Sequence, residues 1–381
     1  MRRPPTIMHV IETGEAGGAE TVFCQLAHSL EQRGARSIVV VPREGWVADR
    51  VRSIGMRPLI MGPERPMSAR FLLGLVATVR KNRVGLIISH LPGASAYAAA
   101  TALITGTPVI SVLHGPTDLR AIGKFPAFKR WLLEKGCSAI VAVSASTRDA
   151  LSEFGLPRDS ITLIPNGVDT DAYSPGERVG NLRAELGVAA GEMLVGAVGN
   201  IRPPKAYDVL LAAAAKVLAR VPACRFAILG EGDESSVRQL HELRRSLGIE
   251  ARCHLVGFRQ SSGALYRDFD VFVSSSRSEG LSLSFLEAMA SGLAVVATRS
   301  GGPQEVLESD GSGILVPIED PDALAEGLVR ALREPALRHR LGESARRQVV
   351  ESFSLRAALD RYAELCEEVA GDCSWQSPAA S

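Results

Sequence analysis

Short runs of β-branched and other apolar residues alternate along this chain with segments of helical periodicity. Ile7–Ile11 and Leu86–Ser89 are such runs in the first half, and Leu194–Val198 and Val271–Ser274 are such runs in the second. Continuous apolar strands bounded by glycine or proline are typical of parallel sheets covered on both faces. Strands that alternate with helices predict a doubly wound α/β fold.

Each half holds about six strand-like runs, which predicts two Rossmann-like domains. The 381 residues, of which 46% are apolar, can supply two buried cores. The predicted strands are Ile7–Ile11, Ser37–Val41, Leu86–Ser89, Val109–Leu113, Ala139–Ser144, Ile161–Ile164, Leu194–Val198, Arg225–Leu229, His254–Val256, Val271–Ser274, Ala294–Ala297 and Gly313–Val316.

A polar segment with proline and glycine, Asp169–Asn181, predicts the linker between the domains. We therefore expect an N-terminal domain at 1–172 and a C-terminal domain at 173–354. The amphipathic helix expected at about 355–370 would pack back onto the N-terminal domain, and the polar tail 371–381 is expected to be disordered. Two such sheets that face each other would form a cleft lined by strand ends.

Charge and cysteine content limit the location and the partners. The net charge is +1, which gives no reason to expect nucleic acid as a partner, although residues 1–175 carry +6 and the remainder −5. The six cysteines show no metal-ligand or redox spacing, so we interpret them as reduced thiols of a cytoplasmic protein. The uncharged stretch Gly93–Leu113 is interrupted by Gly106–Pro108, which favours a helix followed by a buried strand over a membrane span.

A glycine-rich turn, Gly14–Glu20, follows the first strand and opens a helix. Gly17 and Gly18 let the backbone approach a ligand closely, and a helix N-terminus favours an anion. The spacing is not G-x-G-x-x-G, so a dinucleotide is not implied. A tight turn without a ligand is the alternative.

A second loop, Gly199–Lys205, follows the first strand of the second half. Its cations Arg202 and Lys205 can clamp a diphosphate at the start of a helix. Two solvated basic residues are the alternative.

The segment Ser278–Gly292 carries two glutamates, Glu279 on a loop and Glu287 within the helix that follows. An eight-residue offset is about 12 Å along a helix, so one carboxylate can meet a sugar and the other a ribose. Gly280, Leu281 and Ser282 offer backbone N–H groups to a phosphate at the helix start. A capping glutamate and a surface glutamate are the alternative.

The context of this pair, S-E-G-L-x-L-x-x-L-E-A-M-A-S-G, resembles that of the retaining GT-B-fold glycosyltransferases of the large E-x7-E family, the glycosyl transferases group 1. Val295–Thr298 and Ser300–Val306 continue the resemblance. Weaker segments agree in the family's order over residues 5–365, namely Gly17–Glu20, Ile164–Asp169, Gly230–Gly232 and Val256–Phe258.

The resemblance implies roles for individual residues. Glu287 would bind the ribose hydroxyls and Glu279 the donor sugar, while Arg202 and Lys205 would neutralise the diphosphate. Gly17 and Gly18 would touch the phosphate or the sugar. His114, which follows a strand, would lie near the sugar and is a catalytic candidate, and the backbone at Gly230 and Gly257 would frame the base. A lone histidine at a strand end can instead have a purely structural role.

The chain departs from the family pattern at three places. The family often has Gly-Arg-Leu where this chain has Gly199–Ile201, and Ala206 stands where glycine is usual. His114 is followed by Gly115–Pro116 instead of aspartate. Lys205 keeps its usual distance from the first glycine of the loop, so the diphosphate role rests more on Lys205 than on Arg202.

The resemblance further implies a retaining hexosyltransferase that uses a UDP- or GDP-sugar and a saccharide, lipid-linked or small-molecule acceptor. We expect front-face attack without a metal or other cofactor, the two basic residues acting at the leaving group. A nucleotide-sugar epimerase-like enzyme or sugar phosphorylase, a non-catalytic sugar-nucleotide-binding module and an inverting transferase with His114 as base are the competing interpretations. Neither the donor nor the acceptor follows from the sequence.

The segment Asp118–Gly136 mixes five lysines and arginines with Phe125, Phe128 and Trp131. Such a mixture suits an anionic membrane surface and a lipid-linked acceptor, which would place the protein at the inner face of the cell membrane. An ordinary surface helix with a half-buried aromatic face is the alternative.

Overall fold

This computed structural model describes residues 5–65, 67–116, 126–178, 181–307 and 311–371. Its contacts divide the chain into two units. The first unit comprises the described residues up to Pro165 together with those from Ala357 onward. The second unit is Asn166–Arg356.

The first unit is built on a seven-stranded parallel sheet with the order β3-β2-β1-β4-β5-β6-β7. Its strands are β1 Thr6–Ile11, β2 Arg36–Val41, β3 Pro58–Ile60, β4 Leu86–His90, β5 Val109–Leu113, β6 Ala139–Ala142 and β7 Ile161–Leu163. Its helices are α1 Gly18–Gln32, α2 Trp46–Ser53, α3 Ala69–Asn82, α4 Pro92–Thr105, α5 Pro126–Gly136 and α6 Ala145–Glu153, with a 3-10 turn at Arg158–Ser160.

The second unit is built on a six-stranded parallel sheet with the order β10-β9-β8-β11-β12-β13. Its strands are β8 Met193–Val198, β9 Cys224–Leu229, β10 Cys253–Gly257, β11 Val271–Ser274, β12 Ala294–Thr298 and β13 Ile314–Val316. Its helices are α7 Asn181–Glu185, α8 Tyr207–Arg220, α9 Glu234–Ser246, α10 Gly263–Arg267, α11 Leu283–Ala290, α12 Gly302–Val306, α13 Pro321–Arg333 and α14 Pro335–Ser352, with a 3-10 turn at Pro203–Lys205.

The predicted class, two doubly wound α/β domains, is confirmed. Every predicted strand is present to within a residue or two at its ends, because each central strand is an apolar run that both faces of the sheet bury; β5 is buried along its whole length. Among the strands of the described residues, the sequence pattern does not predict β3. It begins at Pro58 and lies at the sheet edge with Leu59 and Ile60 partly exposed, so it lacks the apolar signature of a central strand.

Helix α15, Leu355–Ala370, carries the chain from the second unit to the first. Tyr362 and Cys366 are buried in a cluster with Ile7 of β1 and Leu26 of α1. An ion pair between Asp360 and Arg33 lies at the same surface. The apolar face of this helix thus covers the first sheet.

The division between the units falls at Pro165–Asn166, before the boundary of 172 expected from the polar segment. The cause is hydrogen bonding. The Asn166 side chain donates to the Leu281 carbonyl at 2.7 Å, and the Val168 backbone N–H donates to the Phe353 carbonyl at 2.9 Å. These bonds attach the segment to the second unit before the polar residues begin.

The uncharged stretch 93–113 forms most of α4 and then β5, as the sequence indicates. Within the described ranges, no helix combines the length and the apolar character needed to cross a bilayer. The cysteines of those ranges, Cys24, Cys137, Cys224, Cys253 and Cys366, are free thiols. The predicted tail from 372 onward lies outside the described residues.

Candidate active site

In each sheet the strand order reverses at one point, between β1 and β4 in the first unit and between β8 and β11 in the second. Ligands of open α/β sheets bind outside the carboxyl ends of strands at this switch point. In the second unit β8 ends before the loop Gly199–Lys205, and β11 ends before the loop Ser275–Ser282. Both predicted charged motifs therefore lie at one switch point.

The structure brings Lys205 and Glu279 together. Lys205 Nζ donates to Glu279 Oε2 at 2.6 Å, and the Ser276 hydroxyl donates to the same oxygen at 3.1 Å. Each member of the pair keeps about a fifth of its side-chain surface exposed, 21% for Lys205 and 18% for Glu279. A Cβ atom at Gly199 would lie 2.9 Å from Lys205 Cε, so a glycine here lets the lysine fold over the strand end.

Arg277 fixes the turn that carries Lys205, and sequence reasoning missed it. Its guanidinium donates to the Pro203 carbonyl at 2.9 Å and to both oxygens of Asp208 at 3.0 and 2.6 Å, and it pairs with Glu319. Its backbone N–H donates to the Pro204 carbonyl at 2.7 Å. Arginine suits this task because its planar fork makes several fixed hydrogen bonds at once.

Gly280, Leu281 and Ser282 lead into α11. Ser282 caps the helix without a side-chain hydrogen bond to its N–H groups. A Cβ atom at Gly302 would lie 1.5 Å from the Gly280 carbonyl, so a tight backbone contact fixes this loop. The Ser284 hydroxyl donates to the Val198 carbonyl at 2.8 Å, which joins the helix start to the end of β8.

Glu287 is buried within α11 and accepts two hydrogen bonds on one oxygen. The Tyr266 hydroxyl donates to Glu287 Oε2 at 2.6 Å and the Ser261 hydroxyl at 2.7 Å. Burial raises the pKa of the Glu287 carboxyl, and the hydroxyl donors act in the opposite direction by stabilising its charge. The structure thus places the second glutamate in a polar cage inside the unit, not on the surface.

Gly230 and Gly257, which were expected to frame the base, make backbone contacts at the same edge of the second sheet. The Gly230 N–H donates to the Gly257 carbonyl at 3.0 Å, and a Cβ atom at Gly230 would lie 2.0 Å from the Gly199 carbonyl. Gly257 has a φ of +79° and open space around its Cβ position. Arg202 is exposed, and within the described part of the chain no carboxylate pairs with it. The two predicted cations therefore differ in their partners. Lys205 pairs with Glu279, whereas Arg202 is exposed.

At the switch point of the first unit, Gly17 caps α1 and Gly18 begins it. The Glu20 carboxylate folds back toward this turn and accepts a hydrogen bond from Thr13. A Cβ atom at Gly17 would lie 2.2 Å from Glu20 Oε2, whereas one at Gly18 would meet nothing within 4 Å. The Glu20 carboxylate thus lies in the space that a side chain at Gly17 would occupy, whereas Gly18 leaves open space.

His114 follows β5 and stacks on His90 at the end of β4. The ring centroids are 5.1 Å apart, and His90 Nδ1 lies 3.0 Å from His114 Nε2. Burial lowers the pKa of His114 to about 3, and it lowers the pKa of His9 on β1 equally. Phe23 makes edge contacts with the rings of His90 and His9, at 5.3 and 6.3 Å. The sequence did not indicate this set of neutral histidines.

Asp169, Asp268, Asp270 and Asp320 accept hydrogen bonds from backbone groups or make ion pairs. Asp169 accepts from two N–H groups of its own turn, and Asp320 accepts from the first turn of α13. Asp268 accepts from the Leu182 N–H, while Asp270 pairs with Arg183. Within the ranges given above, no cluster of His, Cys, Asp or Glu side chains has the arrangement of a metal site.

The segment predicted to contact a membrane is described only from Pro126 onward, so Phe125 and the residues before it are outside the described ranges. In α5 the rings of Phe128 and Trp131 stack at 6.0 Å and are 48% and 47% exposed. Leu132 and Leu133 of the same helix are buried. Phe128 and Trp131 are thus each about half exposed, which fits both an ordinary surface helix and a membrane-contacting one.

Two family models match consecutive parts of the chain. The model for glycosyl transferases group 1 matches residues 179–348, and the model for glycosyltransferase family 4 matches residues 16–172.

Full-length relatives agree with these matches. The lipopolysaccharide core biosynthesis glycosyltransferase LpsE of Rhizobium meliloti is 28% identical over 360 residues, covering 92% of this chain and 96% of LpsE. A D-inositol 3-phosphate glycosyltransferase of Frankia alni is 30% identical over 370 residues, covering 87% of this chain and 90% of its own length.

Among solved structures, HepE of Anabaena in complex with UDP-glucose superimposes with a TM-score of 0.86 at 22% identity, covering 95% of this chain and 99% of HepE. This likeness shows that the two chains share a fold.

Proposed function

The chain belongs to the glycosyl transferases group 1 family and is therefore a glycosyltransferase, and from this premise we propose that it is a retaining hexosyltransferase. The proposed donor is a UDP- or GDP-linked hexose and the proposed acceptor a hydroxyl group. The proposed role is the assembly of cell-surface polysaccharide or glycolipid on the cytoplasmic side of the membrane. The relative LpsE, which acts in lipopolysaccharide core biosynthesis, supports this role, and the complex of HepE with UDP-glucose supports a UDP-sugar.

The pairing of Lys205 with Glu279 is the observation that carries this proposal. Departure of a nucleotide diphosphate concentrates negative charge on its phosphates, and a partly desolvated cation stabilises that charge strongly. Lys205 is held at the switch point, where a diphosphate would lie. Glu279, 2.6 Å away, would then face the donor sugar.

The proposed reaction breaks the bond between the anomeric carbon and the diphosphate oxygen. The acceptor oxygen forms its bond on the same face, and the departing phosphate takes the acceptor proton. Lys205 and Arg202 would stabilise the leaving group in place of a metal ion. Activity that disappears in EDTA and returns with Mn²⁺ would contradict this part of the proposal.

A thermal-shift screen against UDP, GDP, ADP and TDP tests the donor class. A ligand at 100 times its Kd adds about 2.7 kcal/mol of stability, which is readily measured. We expect one nucleotide to stabilise the protein and Glu287→Ala to abolish the shift. A protein that none of these nucleotides stabilises would contradict the proposed donor class.

On the acceptor side, we propose that α5 contacts an anionic membrane. Exposed stacked aromatic rings next to exposed cations, here Arg130 and Lys135, suit the boundary between headgroups and acyl chains. Flotation with anionic liposomes at low salt should carry the protein upward, and Trp131→Ala should weaken this. Leu103→Ala, which removes a similarly exposed apolar residue from α4, is the control. A protein that remains unbound at low salt has no such contact.

A further inference from the structure

The Glu287 carboxylate is oriented by two hydroxyl groups from one neighbouring segment. Tyr266 lies in α10 and Ser261 two residues before that helix begins, and both donate to Oε2. Tyr266 is fully buried, and its ring packs against Phe269 and Phe272. The direction of its hydroxyl is therefore set by the core and not by solvent.

A third hydroxyl supports the arrangement. The Tyr173 hydroxyl donates to Ser261 Oγ at 3.0 Å, which leaves the Ser261 proton for Glu287. Tyr173 is itself fixed, because Arg346 donates to the Tyr173 carbonyl at 3.2 Å and to the Thr170 carbonyl at 3.3 Å. These hydrogen bonds thus connect Arg346 of α14, through Tyr173 and Ser261, to the Glu287 carboxylate.

Two donors on one oxygen have a directional consequence. A carboxylate with two hydroxyl protons on Oε2 cannot rotate without losing both bonds, and a buried charge-assisted bond is costly to lose. Oε1 then accepts hydrogen bonds from a ligand in a fixed direction. Ribose presents two adjacent hydroxyls, which need an acceptor in a fixed position.

We propose that Tyr266 and Ser261 are positioning residues that fix Glu287 Oε1 to receive the ribose hydroxyls of the donor nucleotide. This inference rests on the proposed function, in which Glu287 binds the ribose. It assigns to these hydroxyls the discrimination between a ribonucleotide and its deoxy form, beyond any contribution to packing.

The test compares the Kd of UDP with the Kd of 2′-deoxy-UDP and 3′-deoxy-UDP by calorimetry, or the corresponding GDP set if GDP stabilises the protein. In the unsubstituted protein we expect the deoxy forms to bind about tenfold more weakly, since each leaves a buried acceptor unpaired. Tyr266→Phe keeps the ring and removes the hydroxyl. It should weaken UDP about tenfold and bring the deoxy forms to within about twofold of UDP.

Tyr207→Phe is the matched control. Tyr207 is also buried and donates one hydrogen bond, to the Gly199 carbonyl at 2.8 Å, but it does so at the Lys205 end of the site. Its loss should leave unchanged the ratio of the Kd of the deoxy form to the Kd of the ribonucleotide. Ser261→Ala should reduce the ratio in the same sense as Tyr266→Phe.

The outcomes separate the inference from its premise. If Glu287→Gln leaves the ratio of the two Kd values unchanged, the proposed role of Glu287 is wrong and the inference falls with it. The same holds if neither UDP nor GDP binds the unsubstituted protein. If Glu287→Gln abolishes the ratio but Tyr266→Phe keeps it, the role of Glu287 stands and the positioning inference is overturned. A ratio that falls equally in Tyr207→Phe would also overturn it.

Discussion

At the switch point of the second unit the functional candidates are charged and paired, whereas in the first unit they are neutral rings packed against a helix. Lys205 and Glu279 form an ion pair with part of each side chain exposed. His90 and His114 share one hydrogen bond, and burial lowers the pKa of each ring. A charged site suits a diphosphate, while a neutral buried site favours shape and hydrogen bonding, so the two switch points differ in the kind of ligand that each suits.

The charged side of this comparison is tested most strongly by Lys205→Ala. Removal of the cation should lower kcat by about 10²–10³-fold, because it would act mainly on charge that develops as the diphosphate departs. Donor consumption measured against a range of acceptors gives kcat and KM. Lys216→Ala, on the exposed side of α8, should leave both constants unchanged. An unchanged kcat in Lys205→Ala would assign leaving-group stabilisation to another group.

Arg277→Ala tests whether the turn needs its clamp. The variant loses the bonds to the Pro203 carbonyl and to Asp208, so Lys205 should become mobile and kcat/KM for the donor should fall about tenfold. Arg225→Ala is the matched control, since Arg225 pairs with Glu192 beside the amino ends of β8 and β9. A similar loss of stability with unchanged kcat/KM is expected there. Equal kinetic losses in both variants would show that general destabilisation is the cause.

The sequence predicts those parts of the molecule whose signals are local. The strands are continuous apolar runs, and Glu279 and Glu287 stand in one segment, so a local pattern is enough to predict both as site residues. Arg277 was missed because its partner Asp208 is 69 residues away, and a lone arginine in a loop carries no signal of a clamp. Tyr266 and Ser261 were missed for a similar reason, since only the packing of α10 beside α11 brings them to Glu287. The role of His114 as a catalyst remains a prediction.

The neutral side of the comparison is tested by pH. The pKa of His9 is about 3 in the folded chain and 6.5 in a model peptide. Between pH 6.5 and about pH 3, the unfolded chain therefore binds a proton at His9 that the folded chain does not bind. Stability is fully present above pH 6.5 and falls as the pH decreases, by about 1.4 kcal/mol per pH unit for each such histidine.

His9→Phe should remove one histidine's share of this loss, about 2 kcal/mol between pH 7 and pH 5. Hydrogen exchange on β1 and β4 reports the stability of the first unit at the two pH values. Within the described residues neither ring nitrogen of His9 has a partner, so the substitution breaks no hydrogen bond. His28→Phe on the surface of α1 should keep the acid loss. Equal acid sensitivity in His9→Phe and the unsubstituted protein would mean that His9 binds its proton as readily in the folded chain as in the unfolded chain.

The smallest expected effect concerns backbone strain, which both units store next to their switch points. Leu91 precedes α4 with a φ of +73°, and Ala206 precedes α8 with a φ of +50°. The left-handed region costs a non-glycine residue about 1–2 kcal/mol, and glycine loses about 0.4–1 kcal/mol more backbone entropy on folding. Ala206→Gly should therefore stabilise the second unit by about 0.5 kcal/mol, measured by urea denaturation. Ala213→Gly, inside α8, should destabilise it by about 1 kcal/mol. If both substitutions destabilise the second unit equally, the packing of the buried Ala206 methyl stabilises the fold by more than the backbone strain at Ala206 costs. Net backbone strain beside a switch point would then be expected at Leu91 and not at Ala206.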